Sequence, residues 1–206
     1  MNELLEKLDR EYPDVQCELN YGTVFELLIS VILSAQCTDK RVNIVTEKLF
    51  KVADTPQEFC DLPLAELEQL IKTCGLYRAK AANIKSCCRD LVDKFNGQVP
   101  DTMEELTSLS GVGRKTANVM LSMAFNKPAI AVDTHVFRVS HRLGIASGNT
   151  PDQVEKELCA CFEPDDYKKV HLLLIRHGRD CCSARSPKCA ECVVKELCKS
   201  AFVAES

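Results

Sequence analysis

The stretch LSGVGRKTANV, from Leu109 to Val119, places an amine beside a turn that can hold a phosphate. Gly111 and Gly113 stand between two segments of helical periodicity. Backbone N–H groups at a glycine turn and at a helix N-terminus form an anion site. Lys115 follows in the first turn of the second helix, where the helix dipole and partial burial would favour its neutral, nucleophilic form. The stretch predicts phosphate binding next to a reactive lysine, although G-x-G also occurs in ordinary helix connections.

A carboxylate stands at the start of the next helical segment. Asp133 follows the apolar run AIAV and is predicted to cap the helix that begins after it. Because a capping carboxylate is held rigidly, the same residue could stabilise positive charge at a reacting carbon. The basic side of this helix carries His135, Arg138, His141 and Arg142.

Four of the 13 cysteines have the spacing C-x6-C-x2-C-x5-C, at Cys182, Cys189, Cys192 and Cys198. Four thiolates within 17 residues predict a metal site. Structural zinc and an iron–sulfur cluster use the same ligands, so the spacing leaves both open. Cys181 could compete with Cys182 as a ligand.

The loop between the first two of these cysteines carries two cations, Arg185 and Lys188, which ligation would present outward. The other nine cysteines are predicted as small core residues in a reducing compartment, for example Cys17, Cys37, Cys60, Cys74 and Cys159.

The elements that position these residues are helices. Almost every segment has helical periodicity, and none shows sustained period-two alternation, so the predicted fold class is all-α. Thr102 with Glu105 predicts a capping box, Asn96-Gly97 a helix stop, and Pro151 a first helical position. The predicted helices are Glu3–Tyr12, Thr23–Gln36, Asp39–Phe50, Pro56–Ala65, Leu64–Lys72, Tyr77–Phe95, Thr102–Ser108, Gly113–Phe125, Asp133–Leu143, Pro151–Cys161 and Asp165–Cys181.

Charge and hydropathy favour a cytoplasmic protein. The chain has no segment resembling a signal peptide, and its longest apolar run, Val24 to Leu33, is too short to cross a bilayer. The net charge is −4, but Ile71–Lys94 and Leu109–Arg142 each carry +4, whereas Thr150–Asp166 carries −5. The basic segments could form one positive face for nucleic acid, or could be solvated helix faces.

Four segments, together with the cysteine spacing, resemble the endonuclease III family of helix-hairpin-helix DNA glycosylases, which carry a [4Fe–4S] cluster. The resemblance covers nearly the whole chain, although Ser110 stands where the family commonly has proline. The segments are LSAQCTDKRVN (Leu33–Asn43), IKTCGLYRAKAANI (Ile71–Ile84), LSGVGRKTANV and AVDTHVFRVSHRLG.

The resemblance implies two all-α lobes with a DNA cleft between them. Residues 17–127 would form a six-helix barrel domain with the hairpin, and residues 1–16 with 128–206 an iron–sulfur domain. Lys115 matches the nucleophile and Asp133 the catalytic aspartate. The cluster ligands would be Cys182, Cys189, Cys192 and Cys198. The DNA contacts would be Gln36, Leu76, Gly111, Gly113, Arg114, Thr116, His135, Arg185 and Lys188, of which Gln36 and Leu76 fill the gap left by a flipped nucleotide.

The implied activity is excision of oxidised pyrimidines from duplex DNA, followed by strand cleavage 3′ to the abasic site through a lysine Schiff base. The enzyme would act as a monomer at the nucleoid. One alternative is a mismatch-specific monofunctional glycosylase, which would lack the hairpin lysine. Another is a non-catalytic DNA-binding or redox-sensing module, which would need neither Lys115 nor Asp133.

Overall fold

The computed structural model describes residues 1–201, and those residues form helices and loops without a β-strand. The eleven predicted α-helices are all present, several with shorter ends. Their bounds are α1 Asn2–Glu11, α2 Val24–Ser34, α3 Asp39–Leu49, α4 Pro56–Asp61, α5 Leu64–Leu70, α6 Tyr77–Phe95, α7 Met103–Ser108, α8 Arg114–Met123, α9 Thr134–Leu143, α10 Pro151–Cys161 and α11 Tyr167–Asp180.

The chain divides into two compact units. The contiguous unit is Cys17–Phe125 and holds α2 to α8. The split unit combines Met1–Gln16 with Asn126–Ser206, and its described part holds α1 and α9 to α11. The final five residues of the split unit, 202–206, lie outside the described part of the chain.

The core of the contiguous unit is built around α2. This helix is buried over nearly its whole length, from Phe25 to Leu33, and it contacts α3, α6 and α8. Burial on several faces explains why its sequence is largely apolar rather than apolar on one side only. Thr23 caps its start by accepting a hydrogen bond from the backbone N–H of Glu26.

A buried lysine fixes the end of α4 in the same unit. Nζ of Lys85 donates to the carbonyl oxygens of Phe59, Cys60 and Leu62 at 2.9, 2.6 and 2.7 Å. These carbonyls lie at the C-terminal end of α4, where no helical N–H reaches them. The sequence prediction that α4 continues to Ala65 is wrong, because Pro63 has no N–H and restricts the residue before it.

The core of the split unit lies between α9 and α11, with α1 packed on α11. Buried aliphatic residues of three helices meet there, including Leu8, Val136, Val139, Leu173 and Leu174. Lys169 also pairs with Asp9 of α1 at 2.7 Å. A second ion pair joins Lys7 of α1 to Glu196 at 3.8 Å. The N-terminal helix is thus held to the C-terminal third of the chain by apolar packing and by ion pairs.

The predicted helix ends are largely confirmed. Asn96 and Gly97 both have positive φ, and the N–H of Gly97 bonds the Leu91 carbonyl, which ends α6. Pro151 occupies the first turn of α10. Thr102 accepts the N–H of Glu105, but the Glu105 carboxylate binds the Thr102 hydroxyl rather than its backbone, so the capping box is only half formed.

The prediction that the scattered cysteines are core residues is right for only some of them. Cys74, Cys87 and Cys88 are buried, but Cys161 is exposed and the others are half-buried. Small thiols therefore fill loop and helix-end positions here as well as the core. Among residues 1–201, no helix is both long and apolar enough to cross a membrane.

Candidate DNA-repair site and iron–sulfur centre

The glycine turn joins α7 to α8 as predicted. Gly111 has φ +80°, and a Cβ there would lie 3.0 Å from Cβ of Asn83, so this position requires glycine. Gly113 is extended, with φ −91°, and caps α8. No heavy atom would lie within 4 Å of a Cβ at Gly113, so its backbone is open to the approach of a ligand. The Ser110 hydroxyl bonds that of Ser86 at 2.8 Å.

Lys115 is the second residue of α8 and is exposed. The partial burial expected from the sequence is absent, because the apolar face of α8 is formed by other residues, such as Ala117, Met120 and Leu121. Its neighbour Arg114 is also exposed, and Thr116 is half-buried. An anion at the open N-terminus of α8 would therefore have the amine of Lys115 on the same helical turn.

Two further turns of the contiguous unit carry residues with left-handed backbone. Gln36 has φ +54° and Leu76 has φ +57°. This backbone conformation is uncommon for residues other than glycine, asparagine and aspartate. Both side chains are exposed, Leu76 by 62%. The turns are adjacent, since a Cβ built on Gly75 would lie 3.4 Å from the Gln36 carbonyl oxygen. The structure thus brings together the two residues that the sequence assigns to the nucleotide gap.

Asp133 lies in the split unit and caps α9. Its Oδ1 accepts the backbone N–H groups of His135 and Val136, each at 2.8 Å. The preceding residues, Ala129 to Val132, are buried, and Asp133 itself is half-buried. The carboxylate is therefore held in one orientation by two backbone donors, as the sequence predicted.

The two arginines on the basic side of α9 bind backbone carbonyls at the end of α11 and in the segment after it. Arg138 donates to the carbonyls of Gly178 and Cys182 at 2.8 and 3.0 Å and to Nδ1 of His135 at 3.1 Å. Arg142 donates to the carbonyls of Ser183 and Ala184 at 2.7 and 2.9 Å and lies 3.4 Å from Cys182 Sγ. Both arginines face the cysteine segment. Their four-residue spacing, which places them on one helical face, could have indicated this.

The four spaced cysteines line one cavity of about 180 Å³. Cys181, His177 and Arg142 line it too. All five thiols are free, and the donor set of four thiolates on a short segment suits a [4Fe–4S] cluster. Ligand atoms of His177, Cys181 and Cys192 lie within 4.8 Å of one another, so Cys181 lies beside the motif cysteine Cys192.

A buried histidine adjoins this centre and was not singled out from the sequence. Nε2 of His177 lies 3.6 Å from Cys192 Sγ, and Nδ1 lies 3.3 Å from the Tyr12 hydroxyl. Burial lowers the pKa of His177 to about 4, so the ring is neutral at pH 7.

The two predicted cations of the cysteine loop, Arg185 and Lys188, are exposed, as the sequence analysis expected.

Comparison with known proteins agrees with this arrangement. Residues 29–164 match the model of the HhH-GPD superfamily of base excision DNA repair proteins, and residues 182–198 match the iron–sulfur binding domain of endonuclease III. Endonuclease III of Haemophilus influenzae is 52% identical over 96% of this chain and 93% of its own. The chain belongs to the endonuclease III family.

Further members of the endonuclease III family and solved structures are similar to this chain in sequence and in fold. Endonuclease III of Bacillus subtilis is 47% identical over 95% of this chain and 90% of its own. A solved endonuclease III trapped as a covalent DNA intermediate superposes with a TM-score of 0.96 at 47% identity, covering 100% of this chain and 97% of that one. A thermostable thymine-DNA glycosylase shares the fold, with a TM-score of 0.82 at 22% identity over 98% of this chain and 96% of its own.

The iron–sulfur match begins at Cys182 and ends at Cys198, so it spans the four spaced cysteines and leaves Cys181 outside. The chain therefore carries the [4Fe–4S] cluster of the family in the split unit.

Proposed function

We propose that this chain excises damaged pyrimidines from duplex DNA through Lys115 and Asp133 and then cleaves the strand at the abasic site. As an endonuclease III, it is a base excision repair DNA glycosylase with abasic-site lyase activity. The observation that carries the residue assignment is the position of Lys115 two residues after an open glycine N-cap, on a helix whose N-terminus suits a phosphate.

The chemistry follows from an amine nucleophile. Nζ of Lys115 attacks C1′ of the flipped nucleotide, and the C1′–N bond breaks with its electrons leaving on the base, which takes up a proton. The C1′–O4′ bond then opens to give an imine between Lys115 and C1′. Loss of a proton from C2′ expels the 3′ phosphate by β-elimination. Water as the nucleophile would stop at the abasic site, since it forms no imine.

Asp133 would act on the charge that develops during the first step. Bond breaking at C1′ gives the sugar oxocarbenium character, and a fixed carboxylate stabilises that positive charge. Its two backbone hydrogen bonds at 2.8 Å hold it without motion of the side chain.

DNA is bound by backbone groups and by exposed side chains. Gly111 and Gly113 would hold the phosphates of the damaged strand, assisted by Arg114 and Thr116. Leu76 and Gln36 would enter the stack in place of the extruded nucleotide, which offsets an unstacking cost of a few kcal/mol. His135 is a further proposed contact, and Arg185 and Lys188 would bind phosphate from the cluster loop. Such charge contacts compensate locally for a net charge of −4.

Cys182, Cys189, Cys192 and Cys198 would hold the cluster, which fixes the loop carrying Arg185 and Lys188. The cluster has a positioning role here, and no step of the reaction at the sugar involves it. Action at the bacterial nucleoid in the cytoplasm is part of the same proposal.

Borohydride trapping tests the assignment. The wild type should give a covalent complex with abasic-site duplex DNA, because the reductant converts the imine to a stable amine. Lys115→Gln should give none while it still binds the same DNA, and Lys127→Gln, a lysine in the loop after α8, should trap normally. Trapping by Lys115→Gln at the wild-type rate would reject Lys115 as the nucleophile. Excision without any trapped species would favour the monofunctional alternative.

A further inference from the structure

Two thiols meet where the turns of Gln36 and Leu76 come together. Cys37 directly follows Gln36, and Cys74 precedes Leu76 by two residues. Their side chains lie close enough to interact with each other, and both are free thiols. Cys74 is fully buried, whereas Cys37 is partly exposed. The pair thus has one member that solvent reaches and one that it does not.

The surroundings favour reaction between these two sulfurs. The turns already touch, since the position of a Cβ on Gly75 is 3.4 Å from the Gln36 carbonyl oxygen. The ammonium of Lys80, buried and bonded to the Leu33 carbonyl at 2.8 Å, lies close enough to act on both sulfurs. Burial raises the pKa of Cys74 to about 11, so Cys74 stays protonated until a partner sulfur reacts with it.

We propose that Cys37 and Cys74 form a reversible disulfide that joins the turn of Gln36 to the turn of Leu76 and slows base excision while it is present. The proposal rests on the proposed function in one respect, namely that Gln36 and Leu76 enter the DNA stack.

A hydroperoxide is the oxidant. The Cys37 thiolate attacks the terminal peroxide oxygen, the O–O bond breaks, and the leaving alkoxide or hydroxide takes a proton, which leaves a sulfenic acid on Cys37. The Cys74 sulfur then attacks the Cys37 sulfur, its proton is lost, and the S–O bond breaks with release of water. Two thiols are oxidised by two electrons and one peroxide is reduced. A dithiol reductant reverses the change by thiol exchange.

The disulfide changes the turns because it shortens one contact. A disulfide holds its two sulfurs about 2.05 Å apart, closer than unbonded sulfurs can lie, and its Cα atoms within about 7 Å. The left-handed residues Gln36 and Leu76 flank the bond, so their side chains are displaced or held against adjustment. Misplacement of a positioning group by about 1 Å can cost about 100-fold in rate, so we expect excision to slow by about 10-fold or more.

The test treats the cluster-loaded protein with graded hydrogen peroxide, blocks the remaining thiols, and maps the cysteines by mass spectrometry. The wild type should yield a linked peptide containing Cys37 and Cys74 and should lose excision in parallel, with recovery after dithiothreitol. Cys37→Ala should lack the linked peptide and keep its own untreated rate. Cys161→Ala, at an exposed thiol of the split unit, is the matched control and should behave as the wild type.

Cluster damage that is the same in the wild type and in Cys37→Ala cancels from the ratio of their excision rates. Visible absorbance measures the cluster in each protein separately. Absence of the linked peptide overturns the proposal. An equal loss of excision in Cys37→Ala also overturns it, as does a linked peptide formed with no change in rate. Borohydride trapping by the reduced wild type, measured on the same preparation, reports the proposed function independently.

Discussion

One oxygen of the Asp133 carboxylate accepts the backbone N–H of Val136 at 2.8 Å, and the N–H of His135 at the same distance. The carboxylate therefore has a structural role as well as its proposed catalytic one, and the two can be separated. Asn is as good an N-cap as Asp. Asp133→Asn should unfold within about 0.5 kcal/mol of the wild type in urea, yet excise bases about 100-fold more slowly because the charge is gone.

Asp133→Ala is the matched variant for that experiment. It removes the cap as well as the charge and should lose about 1 kcal/mol of unfolding free energy. Single-turnover excision by Asp133→Asn at the wild-type rate would show that the cap is the only role of this residue.

The two glycines of the turn should differ sharply in their response to alanine. At Gly111 the backbone is left-handed and a Cβ would meet Asn83 at 3.0 Å, so Gly111→Ala should destabilise the fold by about 1 to 2 kcal/mol. At Gly113 a methyl group finds open space, so the stability of Gly113→Ala should be nearly unchanged. Its affinity for abasic-site DNA should still fall, because the methyl group would stand where we propose that a phosphate approaches. Thermal unfolding measures the stability of the two variants, and fluorescence anisotropy measures their affinity for DNA. Equal stability of Gly111→Ala and Gly113→Ala would contradict the predicted strain at Gly111.

Removal of the Arg142 guanidinium should weaken cluster retention. Arg142 binds the carbonyls of Ser183 and Ala184 and lies beside Cys182 Sγ, so it orders the start of the ligand segment. Arg142→Met should lose iron about 10- to 100-fold more readily during chelator challenge. Arg185→Gln, in the same segment but exposed, should keep its iron and lose DNA affinity instead. Iron per protein and visible absorbance give the readout, and equal iron loss by both variants would argue against the role of Arg142.

Replacement of Leu76 by glycine should make the protein more stable and less active. It is a leucine in left-handed backbone with 62% of its surface exposed, which costs about 1 kcal/mol or more relative to glycine. Leu76→Gly should therefore raise the unfolding free energy by about that amount while excision from duplex DNA slows about 10-fold. Leu76→Ala keeps the Cβ and should slow excision without the gain in stability. A Leu76→Gly protein that excises normally would remove Leu76 from the DNA contacts.

The sequence predicted the helices well because their signals are local. Thr23, Thr102 and Pro151 mark helix starts, and Asn96-Gly97 marks a stop, through contacts within a few residues. The predicted end of α4 at Ala65 is wrong because the helical periodicity continues past Pro63, whereas the helix itself ends before this proline. The buried ammonium of Lys85 was also beyond prediction, since its three carbonyl partners are more than 20 residues away in the chain.

The candidate functional residues were proposed from their type and spacing, but their surroundings were not predictable. Gly111, Lys115 and the spaced cysteines are identified by short motifs. The exposure of Lys115, the turn of Arg138 and Arg142 toward the cysteine segment, and the contact between Cys37 and Cys74 depend on distant packing. A long-range contact between helices leaves no periodic trace in a single sequence.

The split unit has a consequence for synthesis on the ribosome. Helix α1 leaves the ribosome first, but its packing partner α11 is made more than 150 residues later. The contiguous unit can fold as soon as Phe125 has emerged, whereas α1 must wait with Leu4 and Leu8 uncovered. The ligand cysteines are translated last of all, so the cluster can be inserted only into a nearly finished chain. Translation products that end between Phe125 and Cys182 would contain a folded contiguous unit and no iron.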